Sequence, residues 1–217
     1  MRIEPMEGLE DVLLIHPDLH EDERGYFYEV FNEKEFNEKT DNKYNFHALQ
    51  ENESKSKAGV FRGLHFQKPP YEQAKLVRVL KGAVIDFAVD IRKDSSTFGK
   101  CVFAILTEEN KNQFFIPRGF AHGFYVTAPK VNYLDGTVDK VEVIFEYKCD
   151  NYYNKESEGG IVWNDKDIVV IDQADSYFGD LYKNRNIEDW LTLSIATIGP
   201  VVLSEKDKNR ITTLKDL

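Results

Sequence analysis

The sequence is poor in cysteine, in long apolar runs and in positive charge. Its 217 residues include two cysteines, Cys101 and Cys149, and neither belongs to a CxxC pair, so a disulfide framework is excluded and both are expected to be reduced thiols in or near the core. No apolar run approaches the roughly 18–20 residues that a membrane-spanning helix needs. There are 28 Lys and Arg against 38 Asp and Glu, and the net charge of −10 opposes binding to nucleic acid or to an anionic membrane.

The composition is that of a folded chain. Hydrophobic residues make up 41% of it and aromatic residues 13%, which excludes a disordered protein. The length favours one large domain. Acidic side chains occupy the N-terminal residues 1–14 where an export signal would have a basic start, so we expect a cytoplasmic protein.

Strand patterns dominate the middle of the chain. Residues 76–91 form two β-branched runs that break at Lys81-Gly82, which predicts a hairpin or a tight corner there. Further strands are predicted at 98–106, 112–117, 119–127 and 141–149. Short strands separated by Gly, Pro and Asn turns favour an all-β sandwich or barrel. Helices are predicted only at 33–40 and at 186–199, the second capped by Asn186.

The densest group of polar side chains is Arg62, His65, Gln67 and Lys75. Side chains two apart on a strand share a face, so His65 and Gln67 are expected to point together into a barrel mouth. A lone histidine in a β core is more often structural, but burying several cationic groups is costly unless an anion satisfies them, which favours a binding site. Gly63 indicates a place where a neighbouring backbone or a ligand leaves no room for a side chain.

A second cluster, residues 115–124, contains a Pro-Arg-Gly turn followed by His122. Two histidine-bearing strands in an all-β fold raise the possibility of a metal-binding cupin, whose first motif needs two histidines separated by one residue and then a carboxylate. The chain has His65-Phe66-Gln67 at the corresponding place and no His-x-His pair anywhere. It therefore predicts no metal site.

Short motifs follow one another through most of the chain, at residues 22–29, 50–56, 60–67, 75–78, 89–92, 96–99, 116–123, 147–148, 151–153 and 203–207. Taken in this order they resemble the dTDP-4-dehydrorhamnose 3,5-epimerases and related sugar-nucleotide epimerases. The resemblance implies a metal-free, cupin-type double-stranded β-helix, that is, a jelly-roll barrel with short peripheral helices. It also implies no cofactor, a nucleotide-sugar substrate that is dTDP-linked, and a homodimer with exchanged N-terminal strands.

The resemblance implies a reaction as well. A 4-keto-6-deoxyhexose is epimerised at C3 and C5 by removing a proton α to the ketone and returning one to the other face, in deoxysugar synthesis for surface polysaccharide. His65 is similar to the family's base, with Asp207 orienting it. Lys75 is expected to stabilise the enolate, and Tyr147 to be the acid on the opposite face.

Substrate-binding residues are carried over in the same way. Arg24 and Arg62 are expected to bind the diphosphate, because a guanidinium matches phosphate oxygens. Phe27 is expected either to stack on the base or, with Tyr26 and Tyr28, to form an aromatic dimer seam. Glu29, Gln50 and Asn52 resemble the family's positions near the base and the sugar, His122 is expected to line the sugar pocket, and Lys206 is a further expected substrate-binding residue.

The chain is expected to form a single domain over residues 1–217, with an atypical helical insertion at residues 168–202. The segment 128–140 is longer than the family's turn and leads to Tyr147, whose displacement would leave a C3-only epimerase. His20 and Glu53 depart from the family's pattern, so an epimerase of a GDP-linked sugar or a heptose stays open. A sugar-nucleotide-binding cupin without catalysis is the alternative from another class.

Overall fold

A computed structural model of the chain describes residues 1–127, 142–171, 185–189 and 201–217. Within these residues the chain forms fourteen strands: β1 (Arg2–Met6), β2 (Leu9–His16), β3 (His20–Asp22), β4 (Gly25–Phe27), β5 (Gln50–Lys57), β6 (Phe61–Gln67), β7 (Lys75–Lys81), β8 (Ala83–Asp90), β9 (Lys100–Thr107), β10 (Gln113–Ile116), β11 (Phe120–Val126), β12 (Glu142–Cys149), β13 (Glu158–Gly160) and β14 (Val169–Val170). The prediction of an all-β body is confirmed.

Two six-stranded sheets make up most of the structure. The first has the order β1-β2-β10-β7-β12-β5 and the second the order β13-β6-β11-β8-β9-β14, while β3 and β4 pair separately. Strands β7 and β8 lie in different sheets, so the chain turns a corner at Gly82 and the hairpin alternative was wrong. Gly82 has a φ of +82°, and a Cβ there would lie 2.8 Å from Val143 Cγ2, so this corner requires glycine.

The two sheets face each other across an apolar cluster. The first sheet contributes Phe114 and Phe145 and the second Phe124, and all three are buried. The rings of Phe124 and Phe145 stack with centroids 4.2 Å apart. Burial of this apolar surface is the main force that holds the sheets together.

A second apolar cluster covers the other face of the second sheet. Ile168, Val170 and Leu214 from the C-terminal part of the chain pack there against strand residues such as Phe87 and Cys101. Cys101 and Cys149 are both buried free thiols, as predicted.

Two short α-helices lie entirely within the described residues. Helix α1 (Glu33–Lys39) matches the prediction at 33–40, and helix α2 (Glu205–Lys208) follows its N-cap Ser204. Single 3₁₀ turns occupy Lys155–Ser157 and Leu214–Asp216. No helix in these parts of the chain combines the length and the apolar character needed to cross a membrane.

The predicted C-terminal helix is described only at its start. Residues 187–189 are helical, and the Asn186 side chain accepts a hydrogen bond from the backbone N–H of Asp189 at 2.9 Å, so the predicted cap is present. The rest of the predicted helix, most of the insertion and the segment 128–140 lie outside the described residues.

Candidate active site

A cavity of about 450 Å³ opens between the two sheets. Strands from both sheets and the segment around α2 line it. Half of the predicted site residues lie in its wall, namely Arg62, His65, Lys75, His122, Tyr147 and Asp207. The fold therefore brings together all four predicted catalytic residues, which lie as much as 142 positions apart in sequence.

His65 and Asp207 form a hydrogen-bonded pair. His65 Nε2 lies 2.7 Å from Asp207 Oδ1, and the side chains are 31% and 4% exposed. His65 is on β6, where Gly63 lets the backbone approach β11, since a Cβ at Gly63 would lie 2.5 Å from Gly123 Cα. The crowding predicted at Gly63 is thus confirmed and comes from a neighbouring backbone.

The start of α2 fixes the Asp207 side chain. The Ser204 hydroxyl accepts a hydrogen bond from the Asp207 backbone N–H at 3.1 Å and donates one to Asp207 Oδ2 at 2.8 Å. The preceding segment is tied to β6 because Val202 forms a parallel bridge with Val60. Burial opposes ionisation of Asp207, but the hydrogen bond with His65, the Ser204 hydroxyl and the charge of Arg210 together lower its pKa.

Lys75 and Tyr147 lie on neighbouring strands, β7 and β12. The Lys75 ammonium lies 5.7 Å from the centroid of the Tyr147 ring. Burial lowers the pKa of Lys75 and raises the pKa of Tyr147. Both effects arise because water is partly excluded from this part of the cavity.

His122 is paired with a carboxylate that sequence reasoning missed. His122 Nε2 lies 2.8 Å from Asp86 Oδ1, and both side chains are buried. Burial raises the pKa of Asp86 and lowers that of His122, so the environment favours the neutral form of each. The signal in the sequence was a carboxylate inside the apolar run of β8.

A second cavity of about 250 Å³ adjoins the first and shares His65, Lys75 and Tyr147 with it. Gln50 and Asn52, both predicted site residues, line this second cavity. The Gln50 side chain donates to Asn52 Oδ1 at 3.0 Å and accepts from the backbone N–H of Tyr153 at 3.0 Å. The Asn52 Nδ2 group is buried and has no hydrogen-bond partner among the described residues.

Arg62 lies at the rim of the first cavity. Its Nε donates to the Ser56 hydroxyl at 2.9 Å and its Nη2 to the Lys55 carbonyl at 3.2 Å. These bonds to β5 hold the guanidinium in a fixed orientation.

The remaining predicted residues line neither of these two cavities. Lys206 pairs with Glu158. Arg24 is 84% exposed and its Nε lies 3.1 Å from Asp22 Oδ1, while Phe27 is 74% exposed on β4. Glu29 is exposed in the segment that follows β4. Their roles stay predictions, as do those of the residues inside the cavities.

The fold and the site define a class of protein: a cupin-type jelly-roll barrel whose cavity holds a His–Asp pair, a half-buried lysine and a tyrosine. The family model described as dTDP-4-dehydrorhamnose 3,5-epimerase matches residues 7–216. The chain belongs to this family, and it is an isomerase. Within the described residues, no three side chains of the His, Cys, Asp or Glu type converge as metal ligands would.

Individual relatives agree with the family model. The chain is 50% identical over 160 residues to the dTDP-4-dehydrorhamnose 3,5-epimerase of Shigella flexneri, covering 74% of this chain and 81% of the relative. The crystal structure of the enzyme of the same name from Elizabethkingia anophelis NUHP1 is 43% identical, with a TM-score of 0.72 over 100% of this chain and 97% of that one. The dTDP-6-deoxy-D-glucose-3,5-epimerase from Legionella pneumophila Philadelphia 1, solved in complex with dTDP-4-keto-L-rhamnose, is 37% identical, with a TM-score of 0.75 over 99% of this chain and 93% of that one.

Proposed function

We propose that the chain catalyses epimerisation at C3 and C5 of a dTDP-linked 4-keto-6-deoxyhexose, converting dTDP-4-dehydro-6-deoxyglucose into dTDP-4-dehydrorhamnose. The observation that carries the proposal is the pairing of His65 with Asp207 at 2.7 Å in a cavity that Lys75 and Tyr147 also line. Family membership and the sugar nucleotide bound by the Legionella relative support the same class of substrate.

His65 acts as the general base. C3 and C5 are both α to the C4 ketone, so a positioned base can remove a proton from either carbon. An ionised carboxylate only accepts hydrogen bonds, so Asp207 keeps the proton on Nε2 of His65 and leaves the Nδ1 lone pair for the C–H proton. The charge of Asp207 then stabilises the imidazolium that forms.

Lys75 and Tyr147 complete the proton transfer. The electron pair of the broken C–H bond moves into the ring and onto the C4 oxygen, where the Lys75 ammonium stabilises the enolate. Tyr147 returns a proton from the opposite face, and burial keeps its hydroxyl protonated because it raises the pKa. The imidazolium of His65 then releases its proton to solvent and the tyrosinate takes one up, so both groups are reset before the next inversion.

The polar groups around this centre bind the rest of the substrate. Arg62, whose guanidinium is held at the cavity rim, binds the diphosphate. The Asn52 Nδ2 group, which has no partner among the described residues, donates to the sugar or the base, and this removes the cost of leaving a buried donor unsatisfied. His122, neutral beside Asp86, lines the sugar pocket.

The protein acts as a homodimer, and the β3–β4 hairpin of each copy completes the substrate site of the other. Two observations support this arrangement. The hairpin is exposed throughout, including Arg24 and Phe27, and β5 is an outer strand of its sheet beside the second cavity. In this arrangement Arg24 contacts the diphosphate, and Phe27 stacks on the base with Glu29 close to the base. Lys206 leaves its ion pair with Glu158 and binds the substrate phosphates.

Mixing two inactive variants tests the dimer. One variant carries His65→Ala, and the other carries Arg24→Ala with Phe27→Ala. If hairpins are exchanged, mixed dimers contain one site with all three side chains intact, so activity returns on mixing. Light scattering gives the mass of each sample as a control. A monomer, or dimers that stay inactive after subunits exchange, contradicts the arrangement.

The chain acts as a single domain, because Asp207 on the C-terminal helix α2 pairs with His65 on β6 of the second sheet. A cytoplasmic location remains a prediction from the sequence.

Product analysis tests the activity. The purified protein is incubated with dTDP-4-keto-6-deoxyglucose and, separately, with a GDP-linked 4-keto-6-deoxyhexose, and the products are followed by NMR. We expect the product inverted at both C3 and C5 from the dTDP sugar alone. Inversion at C3 only, or turnover of the GDP sugar alone, contradicts the proposal.

A further inference from the structure

We propose that Arg210 is a positioning residue that acts through Asp207, holding the carboxylate ionised and oriented towards His65. The inference rests on the function proposed above, in which His65 is the base. It adds a third member to the His65–Asp207 pair, and that member does not touch substrate.

Arg210 approaches the carboxylate oxygen that His65 uses. Its Nη2 lies 3.7 Å from Asp207 Oδ1, and the two side chains are 12% and 4% exposed. The backbone also links the two residues, since the N–H of Arg210 donates to the carbonyl of Asp207 at 3.3 Å. Asp207 Oδ1 therefore faces the His65 imidazole and the Arg210 guanidinium, while Oδ2 faces the Ser204 hydroxyl.

The surroundings of Arg210 leave it few other roles. Its guanidinium lies against the backbone of Gly160, where a Cβ would be 2.4 Å from Nη1 and 2.5 Å from Cζ. Its Nε is buried and has no hydrogen-bond partner among the described residues. Among the residues that the structure describes, Asp207 is the one carboxylate within ion-pair distance of Arg210. A buried cation with so little hydrogen bonding is stabilised mainly by an opposite charge, and Asp207 supplies it.

Other charged groups also face the His65–Asp207 pair. Glu158 on β13 lies close enough to His65 for their charges to interact, and His122 on β11 and Lys75 on β7 line the same cavity as the pair. Against this background, burial raises the pKa of Asp207, while His65, Ser204 and the charge of Arg210 lower it.

Removing the positive charge of Arg210 raises the proton affinity of the His65–Asp207 pair. A positive charge nearby opposes uptake of a further proton, so its loss makes protonation easier. The base is then blocked at a higher pH than in the native protein. A residue that only filled space would lower activity equally at every pH.

The test compares three variants of the full-length protein. Arg210→Gln and Arg210→Met remove the charge, and Met preserves more of the packing if Gln fails to fold. Arg210→Lys keeps the charge without the planar fork. The matched control is Lys208→Gln, which removes a positive charge from α2 at a side chain that is 53% exposed and paired with Glu205.

Two readouts are recorded against pH: deuterium exchange into dTDP-4-keto-6-deoxyglucose, and the imidazole signals of His65 by NMR without substrate. The chain has five histidines, so His65→Asn assigns the signal. We expect both midpoints to move up by about one pH unit in Arg210→Gln and Arg210→Met, and by less than half of that in Arg210→Lys. Lys208→Gln is expected to leave both midpoints in place, since its charge is screened by solvent.

Unchanged midpoints in folded Arg210→Gln or Arg210→Met would overturn the proposal, and so would an equal shift in Lys208→Gln. The NMR titration does not depend on turnover. If the native protein exchanges neither C–H proton, the proposed function fails, while the titration still decides whether Arg210 acts on the pair.

Discussion

Replacing Asp207 with asparagine removes the negative charge that pairs with the proposed base, His65, and changes little else. The carboxamide has nearly the shape of the carboxylate, and Ser204 can reverse its hydrogen bond to the new amide group. The amide Oδ1 can still accept from His65, so what is lost is the negative charge at a 2.7 Å contact made by a side chain that is 4% exposed, and solvent does not replace it. Hydrogen bonds to charged groups contribute about 1.5–3 kcal/mol. If the imidazolium gains this only as the proton is transferred, the rate falls roughly 10- to 150-fold.

The assay for Asp207→Asn is the initial rate of deuterium exchange at C3 and C5 at saturating substrate. Glu205→Gln, which changes an 82% exposed carboxylate on the same helix, serves as the matched control and should keep the native rate. Thermal unfolding checks that both variants are folded. A folded Asp207→Asn protein with the native exchange rate would refute the role given to this pair.

Three further outcomes are expected. Lys75→Met should slow exchange at both carbons by about 100- to 1,000-fold, because the enolate loses its cation; native exchange rates would count against this. Tyr147→Phe should spare deuterium exchange more than inversion, which NMR of substrate and product measures together; equal losses would contradict an opposite-face acid. Asp90 is buried, which raises its pKa, but hydrogen bonds from Arg92, Thr97 and Ser95 prevail and lower it. The stability that the ionised Asp90 confers is therefore present above its unfolded-state pKa and is lost as pH falls through the folded-state pKa. Asp90→Asn should lower the free energy of unfolding by about 2–4 kcal/mol at pH 7. In urea denaturation measured at a series of pH values, the variant should also lose less stability than the native protein at the acid end. An equal loss of stability in both proteins would argue against this.

Strand positions were predictable because half-buried and buried strands have distinct patterns. The alternating run that became β12 and the apolar runs of β8 and β9 were placed to within two residues. The pattern at residues 76–91 did not indicate which strands pair with β7 and which pair with β8. Gly82 permits a hairpin or a corner equally, and only the packing of the two sheets decides between them.

Site residues that belong to the family's motifs could be predicted from the sequence. Contacts between residues on different strands could not. His65 and Asp207 are 142 positions apart, and nothing in their spacing indicates contact; the family's motif alone suggested it. Asp86 was missed because a carboxylate in an apolar strand gains meaning only when β11 pairs with β8. Asp86 then lies opposite Phe124, two residues along from His122, so the two polar side chains share the inner face.

Deuterium exchange in D₂O tests the central claim most directly. dTDP-4-keto-6-deoxyglucose is incubated with the native protein or with His65→Ala, and the C3 and C5 proton signals are followed by NMR. The account predicts that deuterium enters both positions with the native protein and that His65→Ala exchanges neither above the rate without enzyme. Exchange at the native rate in folded His65→Ala, or no exchange with the native protein, would contradict it.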